Sequence, residues 1–199
     1  MNILIPLGSA ILGGIITGIF SLWAVNKSHK KEISRLKSQE NSLIQSLLQS
    51  IHDEIETLWD TYQQGMGVYL ESFQENTPLL RVYPITQDYF SVYHGNTFLI
   101  GKIKDNDLRK HIIVTYTQAK GLIDSYRMNN EMVQKYEQLD FLYRQTNNSI
   151  FLQQLNAQYS ILVEYAKGIK DQHNKVKNSV AALLRMLRKR GVLSENKNN

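Results

Sequence analysis

Residues 3–25 contain no Asp, Glu, Lys or Arg. Coiled as an α-helix at about 1.5 Å per residue, such a stretch reaches roughly 34 Å, enough to cross a hydrocarbon core of about 30 Å. The pattern predicts one transmembrane helix within residues 1–26. A secretory signal peptide would carry positive charge before its apolar run and a small-residue cleavage site after it. Here only Met1 and Asn2 precede the run and Trp23 stands where cleavage would fall, so an uncleaved anchor is expected.

Orientation follows from the flank. Lys27, Lys30, Lys31, Arg35 and Lys37 crowd the C-terminal side, and the positive-inside rule sends that side to the cytoplasm and the N-terminus outside. Within the span, Ala10, Gly14 and Gly18 recur every fourth residue, the last two as GxxxG, and Ser9, Gly13, Thr17 and Ser21 form an adjacent row. Small residues at that spacing let a second helix backbone approach closely in lipid. A homo-oligomer packed through the anchor is expected, with Ser9, Ala10, Gly13, Gly14, Thr17 and Gly18 at the contact. A pore lined by the Ser and Thr edge is the weaker reading, because no ionisable residue marks a pathway.

Residues 27–64 begin polar, and then Ile44, Leu48, Ile51, Ile55, Leu58 and Tyr62 follow at spacings of four, three, four, three and four. That is a helical seam, expected to end near residue 64, where Gly65 and Gly67 follow. Residues 65–104 are aperiodic. They hold Pro78, Pro84 and seven aromatics, Tyr69, Phe73, Tyr83, Tyr89, Phe90, Tyr93 and Phe98. They read as a cap packed on the bundle, with a short helix from about Thr86 and Asp88 to His94 and a turn at Gly95-Asn96.

Residues 105–191 hold two long helices. The first is capped by Asp105 to Asp107, carries Leu108, Ile112, Thr115, Ala119, Leu122, Tyr126, Val133 and Tyr136, and ends near Gln145 before the break Asn147-Asn148-Ser149. The second runs from Phe151 through Leu155, Gln158 or Tyr159, Leu162, Tyr165, Ile169, His173, Val176, Val180, Leu183 and Leu187 to a stop at Gly191. Residues 192–199 are a polar tail. The fold expected is all-α: one N-terminal transmembrane helix followed by a cytoplasmic antiparallel bundle of three long helices plus a short capping helix.

Chemistry is sparse. The chain has no cysteine, which excludes a disulfide framework, a Cys-based zinc site and a thiol nucleophile. None of the five histidines lies in a zinc-ligand spacing; His52 and Glu56 share a helix face but lack a third ligand nearby. No GxSxG elbow is present, and Gly65-Met66-Gly67 lacks the rest of a phosphate loop. Asp53, Glu54, Glu56 and Asp60 form an acidic face that reads as solvated and as a partner for cations, with Arg109 and His111 expected opposite it across the bundle. No catalytic residue, metal site or cofactor is expected.

Gly121 lies inside a helix pattern, where it costs about 1 kcal/mol relative to Ala, and suggests close backbone approach by the cap. Just beyond it, Asp124, Arg127, Asn129 and Asn130 cluster over two turns, as a polar network beneath the cap or as a small partner-binding pocket. This region, GNTFLIGKIKDNDLRKHIIVTYTQAKGLIDSYRMNN at residues 95–130, together with the single N-terminal anchor, resembles small bacterial membrane proteins of phage defence, including the membrane effectors of retron systems. The resemblance implies a toxic inner-membrane effector. A reverse transcriptase and its RNA–DNA product would hold it inactive until infection. Retron effectors of this type look as if they carry two membrane spans, where this chain has one.

The net charge of +5 is unevenly distributed. Residues 26–40 carry five Lys/Arg against two Asp/Glu, residues 41–184 carry 13 against 15, and residues 185–199 carry five against one. If the bundle runs away from the membrane, back, and away again, Arg185, Arg188, Lys189 and Arg190 fall at its membrane-distal end. There they complement a helix dipole and offer a surface to an acidic or phosphate-bearing partner. The expected partners are membrane lipid, other copies of the chain, and a regulatory protein or nucleoprotein. The expected function is a single-pass effector of a bacterial antiviral, abortive-infection system that oligomerises and compromises the membrane. The alternative is a non-toxic membrane-tethered scaffold or sensor that binds a cytoplasmic protein.

Overall fold

The computed structural model describes the backbone of residues 4–85 and 89–192 and, within these, the side chains of residue 21 and of residues from 23 onward. No strand occurs among the described residues, so the protein is all-α. The chain divides into two units, Met1–Gln45 and Ser46–Asn199.

The first unit is helical from the start of α1 (Leu4–Tyr62). Its side chains between residues 23 and 39 are exposed, and Lys27 Nζ lies 4.9 Å from the centre of the Trp23 ring, a cation–π contact. The side chains of Ser9, Ala10, Gly13, Gly14, Thr17 and Gly18 lie outside the described residues. Among the described residues no helix is long and apolar enough to cross a membrane. The side chains of the expected span at residues 3–25 fall largely outside the described residues.

The second unit is built on residues 46–62 of α1 and two long helices, α5 (Asn106–Thr146) and α6 (Ser149–Lys189). Between them lie the short helices α2 (Val68–Glu71), α3 (Ser91–Gly95) and α4 (Thr97–Gly101). The stripe on α6 explains why it packs: Leu155, Gln158, Leu162, Ala166, Ile169, His173, Val176, Val180, Leu183 and Leu187 are buried, and steps of three and four keep them on one face. Ala166 takes the place expected for Tyr165. Local chemistry sets the helix ends. Asp105 accepts from the Leu108 amide at 2.9 Å at the start of α5, and Asn148 accepts from Ile150 N at 2.9 Å at the start of α6. Asn147 at φ 49° closes α5. Gly191 at φ 81° closes α6, with Gly191 N bonded to Arg188 O and Val192 N to Leu187 O in a Schellman arrangement.

The expected antiparallel course needs correction. Glu54 bonds Tyr116 and Tyr62 bonds Tyr126, so α1 and α5 run in the same direction. Arg188 reaches His52 while His173 reaches Tyr62, and Thr115 pairs with Ser179 while Ser125 pairs with Gln172, so α6 is antiparallel to both. The long segment from 63 to 105 is what permits a parallel neighbour, since it returns the chain to its starting end. The basic end of α6 therefore lies at the end of the unit where residue 46 enters, not at the far end.

Three further expectations change. Gly65 and Gly67 do not end the first helix: the chain passes through a π-turn at Gln63–Gly67 and resumes as α2. Buried Met66 and Leu70 follow Tyr62 at steps of four and four, a spacing that a wider turn accommodates. The single capping helix is instead the pair α3 and α4, hinged at Asn96, while Thr86 and Asp88 lie outside the described residues. Gly121 marks no close approach, because a Cβ added there meets nothing within 4 Å.

Candidate functional site

Where α1 ends, four aromatic residues and a histidine meet in the bundle interior. Tyr62 Oη lies 3.0 Å from Tyr126 Oη and 2.8 Å from His173 Nδ1, and His173 Nε2 lies 3.5 Å from Glu71 Oε1. Tyr126 donates to Tyr62 and Tyr62 donates to Nδ1, which puts the ring proton on Nε2, facing the carboxylate but short of a well-formed hydrogen bond. Trp59 stacks on His173 at 5.8 Å, and Tyr83 from the cap sits 5.0 Å from Tyr126. Burial pushes the Tyr126 and Tyr62 hydroxyls well above the usual tyrosine range, and it pushes His173 down against the opposing pull of Glu71. Glu71 sits at about 2, held there by hydrogen bonds from Lys177 and Gln63. The π-turn brings Glu71 to this place.

A cavity of about 100 Å³ adjoins the row, lined by apolar side chains and by Thr61, Tyr62, Tyr83, Tyr89 and Tyr126. Pockets for substrates and cofactors run to roughly 300–1,000 Å³. This one is a packing gap beside a hydrogen-bonded row, and no nucleophile with an adjacent base faces it.

At the other level of the bundle the acidic face of α1 is occupied by structural partners. The Glu54 carboxylate accepts from the Val92 amide at 2.7 Å, from the Tyr93 amide at 3.3 Å and from Tyr116 Oη at 2.7 Å. It thus caps α3 and ties it to α5, and Tyr93 stacks on Tyr116 at 4.1 Å. Burial, followed by that carboxylate, raises the Tyr116 hydroxyl above its usual range. Glu56 pairs with Arg188, whose Nε–H donates to His52 Nε2 at 3.2 Å. Because a guanidinium can only donate, the ring proton of the fully buried His52 sits on Nδ1, 3.2 Å from Asp53 Oδ1. Both ring nitrogens are engaged, and among the described residues no group of three or more His, Asp or Glu is placed to hold a metal. Arg109 and His111 do not face this surface. Arg109 bonds Ile103 O and Asn106, and His111 bonds Asp107 O.

The predicted polar cluster divides in two. Asp124 and Arg127 form an exposed pair with each other at 3.0 Å. Asn129 and Asn130 instead hold the cap. Buried Asn129 donates to Leu79 O at 3.0 Å, while the Asn130 side-chain amide donates to Tyr83 O at 2.7 Å and accepts from Tyr83 N at 3.1 Å. That bidentate grip imitates a strand partner for the extended residues 79–83, so the cluster is a clamp and not a pocket.

The basic cluster also divides. Arg190 pairs with Asp105, which ties the end of α6 to the start of α5; the Leu108 amide and then Arg190 hold the Asp105 carboxyl below its usual range. Arg188 is held by Glu56 and His52. Arg185 and Lys189 are exposed and make no hydrogen bond or ion pair among the described residues. With Lys177 and Arg188 they border an open groove of about 680 Å³ between α1 and α6, floored by Val180, Ala181, Leu184 and Trp59. Sequence reasoning missed Trp59, Lys177 and Leu184 as groove residues. Their common face on two helices was readable from spacing, but not which helix would lie beside which. No protein-family model, no curated protein and no solved structure matches the chain.

Proposed function

We propose that this chain is a single-pass membrane protein whose helical bundle works without catalysis, as a tethered scaffold or sensor that binds a cytoplasmic protein. The observation that carries the reading is the pattern of residues 3–37: a run long enough to span lipid without a charge, followed at once by five cations. Support comes from the bundle, where Glu54 caps α3, Glu56 holds Arg188 and Asp105 holds Arg190, and where an open groove has a basic rim. Alkaline carbonate treatment of membranes from cells expressing the full chain is the test. The protein is expected to stay with the membrane and to leave it only in detergent; release by carbonate alone overturns the anchor.

A second reading is favoured by the small-residue rows Ala10, Gly14, Gly18 and Ser9, Gly13, Thr17. In it, anchors associate and, on activation, the protein damages the bacterial inner membrane as an antiviral effector, as the resemblance of residues 95–130 implies. Induced expression with a membrane-potential dye, with and without phage, separates the two readings. Depolarisation supports the effector, and steady potential in both conditions removes it. Gly14→Leu with Gly18→Leu is expected to reduce crosslinking between copies, and unchanged crosslinking discards the helix interface.

A further inference from the structure

We infer that the groove between α1 and α6 docks an acidic amphipathic helix of a partner protein, an inference that rests on the reading of the bundle as a binding module. Its floor is apolar, from Val180, Ala181, Leu184 and the edge of Trp59, and its rim is cationic, from Lys177, Arg185, Arg188 and Lys189. No carboxylate lines it. Two of the four cations already have carboxylate partners, Lys177 with Glu71 at 2.7 Å and Arg188 with Glu56 at 2.5 Å. Arg185 and Lys189 have none among the described residues, so the rim keeps two cations for an incoming ligand.

The shape and the surrounding charge select the class of ligand. Lys177 and Lys189 are twelve steps apart, about 18 Å of helix, which matches roughly three turns of a helix laid alongside. A partner helix with apolar residues at i, i+3 or i+4, and i+7 would seat them on Leu184 and Ala181 and bring flanking Asp or Glu to Arg185 and Lys189. Nucleic acid fits less well. The Trp59 ring is already stacked on His173 and tilted against Tyr62, so it is less free to serve as a stacking platform for a base. Residues 46–199 carry 18 cations against 16 anions, so no broad positive field gathers a phosphate backbone.

The test uses the full chain in detergent micelles, with Trp23→Phe so that Trp59 is the sole tryptophan. The probe is a fluorescein-labelled designed helix of about 12 residues, Leu along one stripe and Glu elsewhere, read by anisotropy and by Trp59 emission. Binding is expected, with a shift in emission and a loss of affinity in salt. Arg185→Glu with Lys189→Glu, both exposed and so compatible with an unchanged circular dichroism spectrum, is expected to weaken it by about tenfold or more. Ala181→Arg adds a cation but fills the floor; it is expected to weaken binding too, which plain charge attraction would not produce. Absence of binding, equal binding by the double variant, tighter binding by Ala181→Arg, or binding of single-stranded oligothymidine in place of the peptide each overturns the inference. If carbonate leaves the protein in the membrane and the peptide test fails, only the groove assignment falls. If carbonate releases the protein and the peptide binds as described, only the anchor falls.

Discussion

Around His52, near the end of the bundle where residue 46 enters, the helices are joined by charges: Glu56 to Arg188, Arg188 to His52, Asp105 to Arg190. Ten residues along α1, at Tyr62, they are joined by hydroxyls and a neutral imidazole, with Tyr126 and His173 buried and the Glu71–Lys177 pair at the exposed end of the row. Both levels fasten α1 to α6, by Glu56 and Arg188 at the first and by Tyr62 and His173 at the second, with contrasting chemistry. Side-chain exposure of the ion-pair partners at the first level runs from 32% for Arg190 to 51% for Arg188, so water and salt screen those pairs and each stabilises little. At the second level the groups are desolvated, so each must be matched and a mismatch costs more. The charged level selects how the helix ends meet, and the aromatic level supplies more of the stability.

Truncation should expose that contrast most. Tyr126→Ala removes a buried ring and the donor to Tyr62, and chemical denaturation of the full chain in detergent is expected to show a loss of about 3–5 kcal/mol. A loss no larger than that of a surface residue would break the comparison. Titration gives the next largest effect. In the native state the Tyr62, Tyr116 and Tyr126 hydroxyls keep their protons above the usual 10.0, whereas the unfolded chain releases them there, so stability should fall as pH rises past about 10. In acid, His173 resists the proton that the unfolded chain accepts near 6.5, and stability starts to decline below that value. Glu71 adds stability that is complete above 4.5 and is lost as pH falls towards about 2. A melting profile flat above pH 10 would contradict the burial of the hydroxyl row.

Smaller effects sharpen the comparison from the charged side. Arg190→Ala should cost about 1 kcal/mol or less, and added salt should shrink the difference from the parent chain. A large, salt-insensitive loss would mean that the pair is desolvated in the same way as the hydroxyl row. Gly121→Ala is expected to go the other way. With open space around the added Cβ and a helical backbone, it should stabilise by about 0.4–1 kcal/mol in the same denaturation experiment.

Much of this could be read in the residues where the signal is local. The stripe on α6, the Asp105 cap, the Asn147-Asn148 break and the Gly191 stop all follow from spacing and side-chain chemistry within a few positions. The clamp of Asn129 and Asn130 on residues 79–83 could be named as a polar cluster but not split from Asp124 and Arg127, because which face meets the cap depends on where the cap lies. Glu54 as a cap for α3 was hidden for the same reason: its partners are 38 and 39 residues away. The direction of α5 relative to α1 depends on how residues 63–105 cross, and no periodicity encodes a crossing. The π-turn escaped because two glycines in three residues resemble a stop. The clue was the wide spacing of Tyr62, Met66 and Leu70.

The parallel arrangement of α1 and α5 sets an order of events during synthesis. α5 and α6 are joined by two residues and can pair as soon as both exist. The bundle part of α1 is made first but finds its last partners late, since His52 and Arg188 are 136 residues apart. At about 5–20 residues per second, roughly ten seconds separate their emergence from the ribosome. Through that interval the residues of α1 that end up buried, Leu47, Leu48, Ile51 and Ile55, wait for the rest of the unit. This is the stage at which a nascent chain would depend on a chaperone, or pair wrongly with a neighbour being made beside it.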